Sequence, residues 1–293
     1  MSGFHKPVFL KETIDFLAIK PGKKYIDATL GGGGHTLEIL KRGGEVLGID
    51  CDEESISYVR EELKKEKNGF YCPKTILAKS NFSGIEETAK NFGFEKVAGI
   101  IFDLGVSGHQ LETPGRGFSF LKDEDLDMRM DKDLSVTAKD LINGLSEGEL
   151  YELFQKLGEE RHFRPIARAV IGARRLTPIK TGKELARIVE RAVGRRGKIN
   201  PATRVFQALR IAVNDELNNL RLALPQALRL LDKDGRLVVI AFHSLEDRIV
   251  KDFLREKERD LKILTKKVVR PTAEETTINP RSRSARLRAA EKN

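Results

Sequence analysis

Residues 27–35 read Asp-Ala-Thr-Leu-Gly-Gly-Gly-Gly-His, between a short apolar run and a helical pattern. Four consecutive glycines carry no Cβ atoms, so a ligand can lie against bare backbone where a strand turns into a helix. The N–H groups at the start of that helix favour an anionic or electron-rich group. The next apolar run ends in Asp50, whose carboxylate can accept hydrogen bonds from ribose hydroxyls. The stretch therefore indicates a nucleoside-containing cofactor.

Strand-like and helix-like segments alternate around these glycines. The pattern predicts strands at 24–30, 45–50, 75–80 and 97–103, with helices over 34–42, 53–66 and 84–92 between them. After an interruption it predicts a long helix near 201–231, a strand at 235–242, a helix over 245–258 and closing strands at 261–269 and 285–290. Apolar strands separated by amphipathic helices are typical of a parallel sheet covered on both faces. The fold class is therefore α/β and doubly wound.

The alternation stops for a long stretch in the middle of the chain. Residues 112–199 contain helical patterns, such as 146–157, 165–175 and 182–193, and no convincing strand. We interpret them as an all-helical insertion that interrupts one discontinuous α/β domain, formed by 1–111 and 200–293. Because ligands bind at the carboxyl ends of the strands in such sheets, an insertion there would form a wall or lid over the cofactor.

Two common nucleotide-binding motifs fail at the glycine run. The dinucleotide fingerprint needs a glycine at its sixth position, where this chain has Thr36 or Leu37, depending on the starting glycine. A phosphate-binding P-loop needs Gly-Lys-Ser/Thr, where this chain has Gly34-His35-Thr36. A sugar–adenine cofactor without phosphates, S-adenosylmethionine, fits better, and a purely structural glycine-rich turn is the alternative.

The positive charge of the chain is segregated. Residues 158–210 hold 14 Lys/Arg against 4 Asp/Glu, and residues 262–293 hold 9 against 3, whereas the formal net charge of the whole chain is +9. Such segregation favours a polyanionic partner, with a solvated helical face as the alternative reading.

The cysteine content and the apolar runs exclude several classes of protein. The two cysteines, Cys51 and Cys72, form no Cys-x-x-Cys pair, which predicts no metal centre and no disulfide and fits the reducing cytoplasm. No apolar run approaches the length of a membrane span, and no apolar signal region opens the chain. Neither cysteine follows the fourth or fifth strand, where a nucleophile for cytosine C5 methylation would have to lie.

Several long motifs in a fixed order resemble those of the bacterial small-subunit rRNA cytosine-N4 methyltransferases, the RsmH/MraW family. The resemblance runs nearly end to end, and one departure is Gly108-His109, where the family often has a second serine after Ser107. Besides 27–35, the motifs are His5-Lys6-Pro7-Val8, Asp103-Leu104-Gly105-Val106-Ser107, Arg116–Phe120, Leu126–Asp131, Pro201–Arg210, Phe242–Arg248 and Asn279–Ser284.

The resemblance implies a Rossmann-like seven-strand S-adenosylmethionine-dependent methyltransferase fold, with the helical insertion as a substrate-recognition domain. The implied reaction is methylation of the exocyclic N4 of a specific cytidine in the decoding region of 16S rRNA, and the implied partner is that RNA or the small ribosomal subunit. Position by position, the cofactor site should include Gly33, Gly34, His35, Asp50, Phe82, Asp103 and Gln110.

Two residues at predicted strand ends are candidates for catalysis. Asp103 ends the fourth strand, where its carboxylate can accept a proton or hydrogen bond from the target amine, contact the cofactor, or simply cap a loop. His243 ends the strand that begins near 235 and can touch the base, although Ser244 with Asp247 also reads as the cap and first turn of a helix.

Further residues are candidates for contact with RNA. Phe118 and Phe120 can stack on a flipped base or belong to the core. Arg204 and Arg210 lie on the helix face opposite an apolar stripe, and Arg281 and Arg283 lie in the basic C-terminal segment. Phosphate contact is the expected role of these arginines.

Two other functions remain open at this point. The chain can be a methyltransferase that acts on a substrate other than RNA, for which the two basic segments would bring no benefit. It can also be a non-catalytic rRNA-binding or ribosome-assembly factor with a vestigial cofactor pocket.

Overall fold

The computed structural model describes residues 7–66, 72–194 and 200–293. His5 and Lys6, which open the first of the motifs above, lie outside these residues, as does 195–199 at the predicted end of the insertion. The chain divides into two compact units, one formed by the residues up to His109 and from Leu217 onward, the other by Gln110–Glu216.

In the described residues, the first unit contains one seven-stranded sheet flanked by helices. Its first part comprises α1 (Leu10–Leu17), β1 (Lys24–Asp27), α2 (Gly34–Lys41), β2 (Glu45–Asp50), α3 (Glu53–Lys65), β3 (Thr75–Lys79), α4 (Ile85–Asn91), β4 (Val97–Asp103) and the start of α5 (Gly108–Glu112). The second unit holds α6 (Ala138–Gly144), α7 (Glu147–Glu152), α8 (Phe163–Leu176), α9 (Gly182–Val193) and α10 (Ala202–Asn214). The rest comprises α11 (Glu216–Leu230), β5 (Leu231–Ala241), α12 (Ser244–Glu256), β6 (Leu261–Ile263), α13 (Ala273–Ile278) and β7 (Arg286–Lys292).

The order of the strands is β3-β2-β1-β4-β5-β7-β6. Strands β1 to β5 are parallel, and β7 pairs antiparallel with both β5 and β6. The connections reverse direction between β1 and β4, and the carboxyl ends of strands at such a switch point are where ligands bind in open α/β sheets. The predicted α/β fold is confirmed, although β6 and β7 are joined through α13 and form no tight hairpin.

Two apolar clusters cover the two faces of this sheet. One contains Ile26, Leu47 and Ile100 with residues of α4, α11 and α12, and the other contains Tyr25, Val46 and Ile101 with residues of α1, α2 and α3. Neighbouring residues of one strand thus enter opposite clusters, because side chains alternate along a strand. Burial on both faces explains why the strands are continuous apolar runs.

The predicted long helix near 201–231 is wrong, since the chain breaks it into α10 and α11. Asp215 between them has φ 48, a left-handed conformation that ends α10. Asn214 is held there because its Nδ2 donates to the carbonyl oxygen of Met128 at 2.8 Å. Sequence periodicity continues through the break and therefore does not reveal it.

The helical unit is longer than the predicted insertion, 112–199. It extends to Glu216 and includes α10, since the side chains of Gln207 and Asn214 donate to the carbonyl oxygens of Leu157 and Met128 in the same unit. In its described part, the regular elements are helices, and one isolated bridge joins Asp125 to Thr181. No helix in the described residues is both long and apolar enough to cross a bilayer.

We expect Gly117→Ala to lower the free energy of unfolding by about 3 kcal/mol or more, because two costs combine. Gly117 has φ 70, and a Cβ there would lie 2.5 Å from the backbone nitrogen of Asp127. Gly115 has φ 79 but nothing within 4 Å of its position for a Cβ, so Gly115→Ala should cost only about 1–2 kcal/mol. Urea unfolding followed by circular dichroism measures both, and equal losses would contradict this account.

Candidate functional site

The glycine run turns the chain from β1 into α2 and leaves little free space at two of its positions. Gly33 has φ 73 and precedes α2, and a Cβ on it would lie 2.8 Å from Cγ2 of Val59. A Cβ on Gly34 would lie 2.7 Å from Cγ of Pro7. These two glycines are therefore required by protein packing. At Gly31, in contrast, a Cβ would meet nothing closer than 3.7 Å, so the loop leaves room beside its backbone there.

Asp50, at the end of β2, fixes this loop. One carboxylate oxygen, Oδ2, accepts the backbone N–H of Gly31 at 2.8 Å, and the other, Oδ1, accepts the N–H of Asp52 at 2.9 Å. Burial raises the pKa of Asp50 to about 6 despite these two hydrogen bonds. Each oxygen keeps a further lone pair, so the carboxylate can also accept hydrogen bonds from a ligand.

Asp27, at the end of β1, joins the loop to β4. Its buried carboxylate accepts the hydroxyl of Thr36 at 2.7 Å and the backbone N–H of Thr29 at 3.3 Å. The hydroxyl oxygen of Thr29 in turn accepts the backbone N–H of Asp103 at 2.6 Å. The sequence indicated Asp27 as an acid beside the loop but gave no signal that Thr29 positions Asp103.

His35 and Asp103 meet at the switch point with unused polar atoms. The Nε2 atom of His35 lies 3.4 Å from Oδ2 of Asp103, but the two are not aligned for a hydrogen bond. Among the described residues, neither ring nitrogen of His35 nor Oδ1 of Asp103 has a hydrogen-bond partner, although all three atoms are buried. Buried polar atoms are rarely left unpaired, so this pair indicates a place for a ligand.

Phe82 and Gln110 are the other two predicted cofactor contacts. Phe82 follows β3, is half-buried, and packs edge-on against Phe102 of β4 with ring centroids 5.8 Å apart. Gln110 is buried and is the first residue of the helical unit. Phe82 thus lies in the same sheet unit as Gly33, His35, Asp50 and Asp103.

His243 is the N-cap residue of α12, so the prediction that Ser244 caps this helix is wrong. The Nδ1 atom of His243 accepts the N–H of Glu246 at 3.3 Å, and Oε2 of Glu246 accepts the N–H of His243 at 3.2 Å. Ser244 is instead the first residue of the helix. The ring at the end of β5 therefore orders the loop that follows the strand.

The predicted RNA contacts divide into two groups. Phe118 is buried beneath the guanidinium of Arg116, and Phe120 packs edge-on against Phe206. Arg204 donates to the carbonyl oxygen of Glu159, and Arg210 forms two hydrogen bonds of 2.8 Å with Glu216. These four side chains all have partners within the helical unit. Arg281 and Arg283 are exposed on a short 3₁₀ turn, Pro280–Ser284, in the sheet unit.

Comparison with known proteins identifies the family. The family model described as the MraW methylase family matches residues 2–293. The chain belongs to the MraW methylase family. It is 46% identical to ribosomal RNA small subunit methyltransferase H of Thermomicrobium roseum, over all of this chain and 94% of that protein. It is 45% identical to the protein of the same name from Halothermothrix orenii, over 98% of each chain.

Solved structures align along the whole chain at low identity. A putative rRNA methylase from Clostridium thermocellum covers 100% of both chains, with a TM-score of 0.49 and 13% identity. A putative methyltransferase from Streptococcus mutans in complex with SAH covers 99% of this chain and 100% of that chain, with a TM-score of 0.47 and 14% identity. The family predicted from the ordered motifs is confirmed by the family model and the curated relatives.

We expect the affinity of this methylase for S-adenosylmethionine to be constant above about pH 7 and to fall as the pH drops through 6. This expectation follows from the predicted role of Asp50, in which ribose hydroxyls donate to its ionised carboxylate, because its pKa of about 6 places its protonation in that range. Isothermal titration calorimetry between pH 5 and 8 measures this.

The variant Asp50→Asn is the control for this test. Asp50→Asn should bind S-adenosylmethionine weakly at every pH, and a wild-type affinity that does not change with pH would contradict the role of Asp50.

Because burial raises the pKa of Asp50 above its ordinary 3.8, ionisation opposes folding of the free protein. The contribution of Asp50 to stability is therefore largest below about pH 4 and declines as the pH rises through 6.

Proposed function

We propose that this protein transfers a methyl group from S-adenosylmethionine to the exocyclic N4 of a cytidine in the decoding region of 16S rRNA. The observation that carries the proposal is the pair His35 and Asp103 beside the glycine loop, where both ring nitrogens and Oδ1 of the carboxylate are buried without a hydrogen-bond partner among the described residues. The names of the curated relatives support ribosomal RNA of the small subunit as the substrate. A substrate of this kind places the protein in the cytoplasm.

The residues present fit the cofactor. Among the described residues, Asp50 accepts hydrogen bonds from two backbone N–H groups and keeps lone pairs for the ribose hydroxyls, and the space beside Gly31 admits a ligand against the loop. The unpartnered Oδ1 of Asp103 is an acceptor for a positively charged or N–H-bearing group. We assign cofactor binding to Gly33, Gly34, His35, Asp50, Phe82, Asp103 and Gln110. When bound, S-adenosylmethionine supplies an electrophilic methyl group.

The chain's own residues then have to localise the lone pair of the target amine, which is delocalised into the cytosine ring. A carboxylate oxygen that accepts one amine N–H holds the nitrogen in line with the methyl group, so catalysis rests mainly on positioning and exclusion of water. We assign this contact to Oδ1 of Asp103. As the N–C bond forms, the nitrogen loses one proton, and the same carboxylate accepts it. His243, at the end of the neighbouring β5, contacts the base.

We expect Asp103→Asn to lower kcat for N4 methylation at least about a hundredfold, because the amide cannot accept the proton. Incubation with S-adenosylmethionine and small ribosomal subunits or 16S rRNA, followed by mass spectrometry of the nucleosides, measures the product. Asp15→Asn on α1, an exposed aspartate, is the matched control and should retain full activity. If the wild type forms no N4-methylcytidine on any RNA offered, the protein is an assembly factor or acts on another substrate.

The helical unit carries the charge expected for contact with RNA. Residues 158–210 hold 14 Lys/Arg against 4 Asp/Glu. On α9, the apolar residues Leu185, Ala186 and Val189 are buried, whereas Arg187 and Arg191, one turn apart, are exposed. We infer that exposed arginines of this kind, together with Arg281 and Arg283, neutralise phosphates of the rRNA. Four of the predicted RNA contacts have a structural role in the free protein, because their side chains already contact other residues of the helical unit: Phe118, Phe120, Arg204 and Arg210.

We expect the double variant Arg187→Gln, Arg191→Gln to bind 16S rRNA more weakly and with a shallower dependence on salt. Each lost phosphate contact should reduce the slope of log affinity against log salt by about 1. The matched control is Lys64→Gln, Lys65→Gln on α3, two exposed lysines outside the basic segments, which should leave the slope unchanged. A slope that is equal in all three proteins would remove the α9 arginines from the RNA interface.

A further inference from the structure

Arg286 lies at the edge of the sheet that carries the proposed site. It is the first residue of β7 and pairs with Ala241, the last residue of β5. In the next strand, Asp103 pairs with Ile240, one residue before Ala241. Because β7 runs antiparallel to β5, its first residue lies where the parallel strands end. Arg286 and Asp103 are therefore at the same edge, two strand spacings or about 10 Å apart.

Arg286 has no partner in the part of the chain that the structure describes. Its Nε atom is buried without a hydrogen-bond acceptor. The neighbouring arginines are fully engaged: Nε of Arg288, on the same face of β7, lies 2.7 Å from Oδ1 of Asp247, and Nε of Arg236 lies 2.9 Å from Oε2 of Glu291. A buried charged donor without an acceptor is costly, and such a group is expected to have a ligand.

The rest of the sequence offers no carboxylate for this arginine. The segments outside the described residues read MSGFHK, KNGFY and RRGKI, and none contains Asp or Glu. No carboxylate in the described residues pairs with Arg286 and these segments add none, which favours an anion from another molecule. Its planar guanidinium is suited to bidentate contact with phosphate oxygens.

We propose that Arg286 binds a phosphodiester group of the rRNA strand next to the target cytidine, and this rests on the proposed function. Two anions come to this edge of the sheet in that function, the carboxylate of the cofactor and the RNA backbone. In the sheet, β4 and β5 lie between Arg286 on β7 and the glycine loop that follows β1. In the proposed function, the target amine at Asp103 lies between Arg286 and the glycine loop. The position of Arg286 therefore fits the RNA strand that carries the target base. Arg286 is thus a substrate-binding residue that holds the RNA backbone at the end of β5 from the α12 face of the sheet, while the base reaches Asp103 on the α2 face.

The test compares Arg286→Met, Arg286→Lys and the control Arg236→Met, which removes a paired arginine from the middle of β5. We expect Arg286→Met to raise KM for 16S rRNA about tenfold or more, to leave the KM for S-adenosylmethionine unchanged, and to lower the salt slope of RNA binding by about 1. Its midpoint of thermal unfolding should not fall, since no interaction within the protein is lost. Arg286→Lys should recover part of the RNA affinity. Arg236→Met should lower the midpoint and leave the KM for RNA unchanged.

Two outcomes would overturn the assignment: an unchanged RNA affinity and salt slope in Arg286→Met, or a fall in its thermal midpoint with no selective effect on RNA. Binding of a 16S rRNA transcript, measured by fluorescence anisotropy, needs no turnover. It therefore tests Arg286 even if the wild type forms no N4-methylcytidine, the result that contradicts the proposed function. If the wild type is active and Arg286→Met binds RNA equally well, only the phosphate contact fails.

Discussion

The buried carboxylate of Asp27 is the interaction on which the rest of the site depends. It accepts the Thr36 hydroxyl at the start of α2 and the Thr29 N–H in the glycine loop, and the Thr29 hydroxyl accepts the backbone N–H of Asp103. One acid therefore joins the ends of β1 and β4 to the helix that carries His35. Burial raises the pKa of Asp27, whereas the nearby His35 and the hydrogen bond from Thr36 lower it. A site built this way is ordered before any ligand arrives, which reduces the entropy lost on binding.

The glycine run shows that one sequence signal can have two physical causes. Read from the sequence, four glycines indicate open backbone for a ligand. In the fold, Gly33 and Gly34 lie against Val59 and Pro7, whereas Gly31 keeps room beside it. The cofactor was nevertheless predicted correctly, since the argument also used the missing Lys of a P-loop and the acid at the end of β2. Close packing and ligand approach both demand glycine, and the sequence does not separate them.

The strands were predictable because burial on both faces leaves a continuous apolar run, and β2 and β4 have the predicted bounds. Features that depend on distant partners were not predictable. The left-handed Asp215 lies inside an unbroken helical pattern, and His243 caps α12 although serine is the commoner cap. The pairing of Arg210 with Glu216 depends on three-dimensional neighbours that composition and charge do not reveal, and so does the lack of a partner for Arg286 among the described residues.

The order of the strands arranges the parts of the reaction along one edge. Asp50, the glycine loop, Asp103 and His243 lie at the carboxyl ends of β2, β1, β4 and β5, and Arg286 lies at the start of β7; these five strands are successive neighbours in the sheet. At about 4.8 Å per strand, the series covers about 19 Å. The antiparallel direction of β7 matters here, because a parallel strand would bring its last residue to this edge. The 3₁₀ turn with Arg281 and Arg283 ends two residues before Arg286, so it reaches the same edge. Cofactor, target base and RNA backbone can thus be bound in sequence by residues whose spacing is fixed by the hydrogen bonds of the sheet.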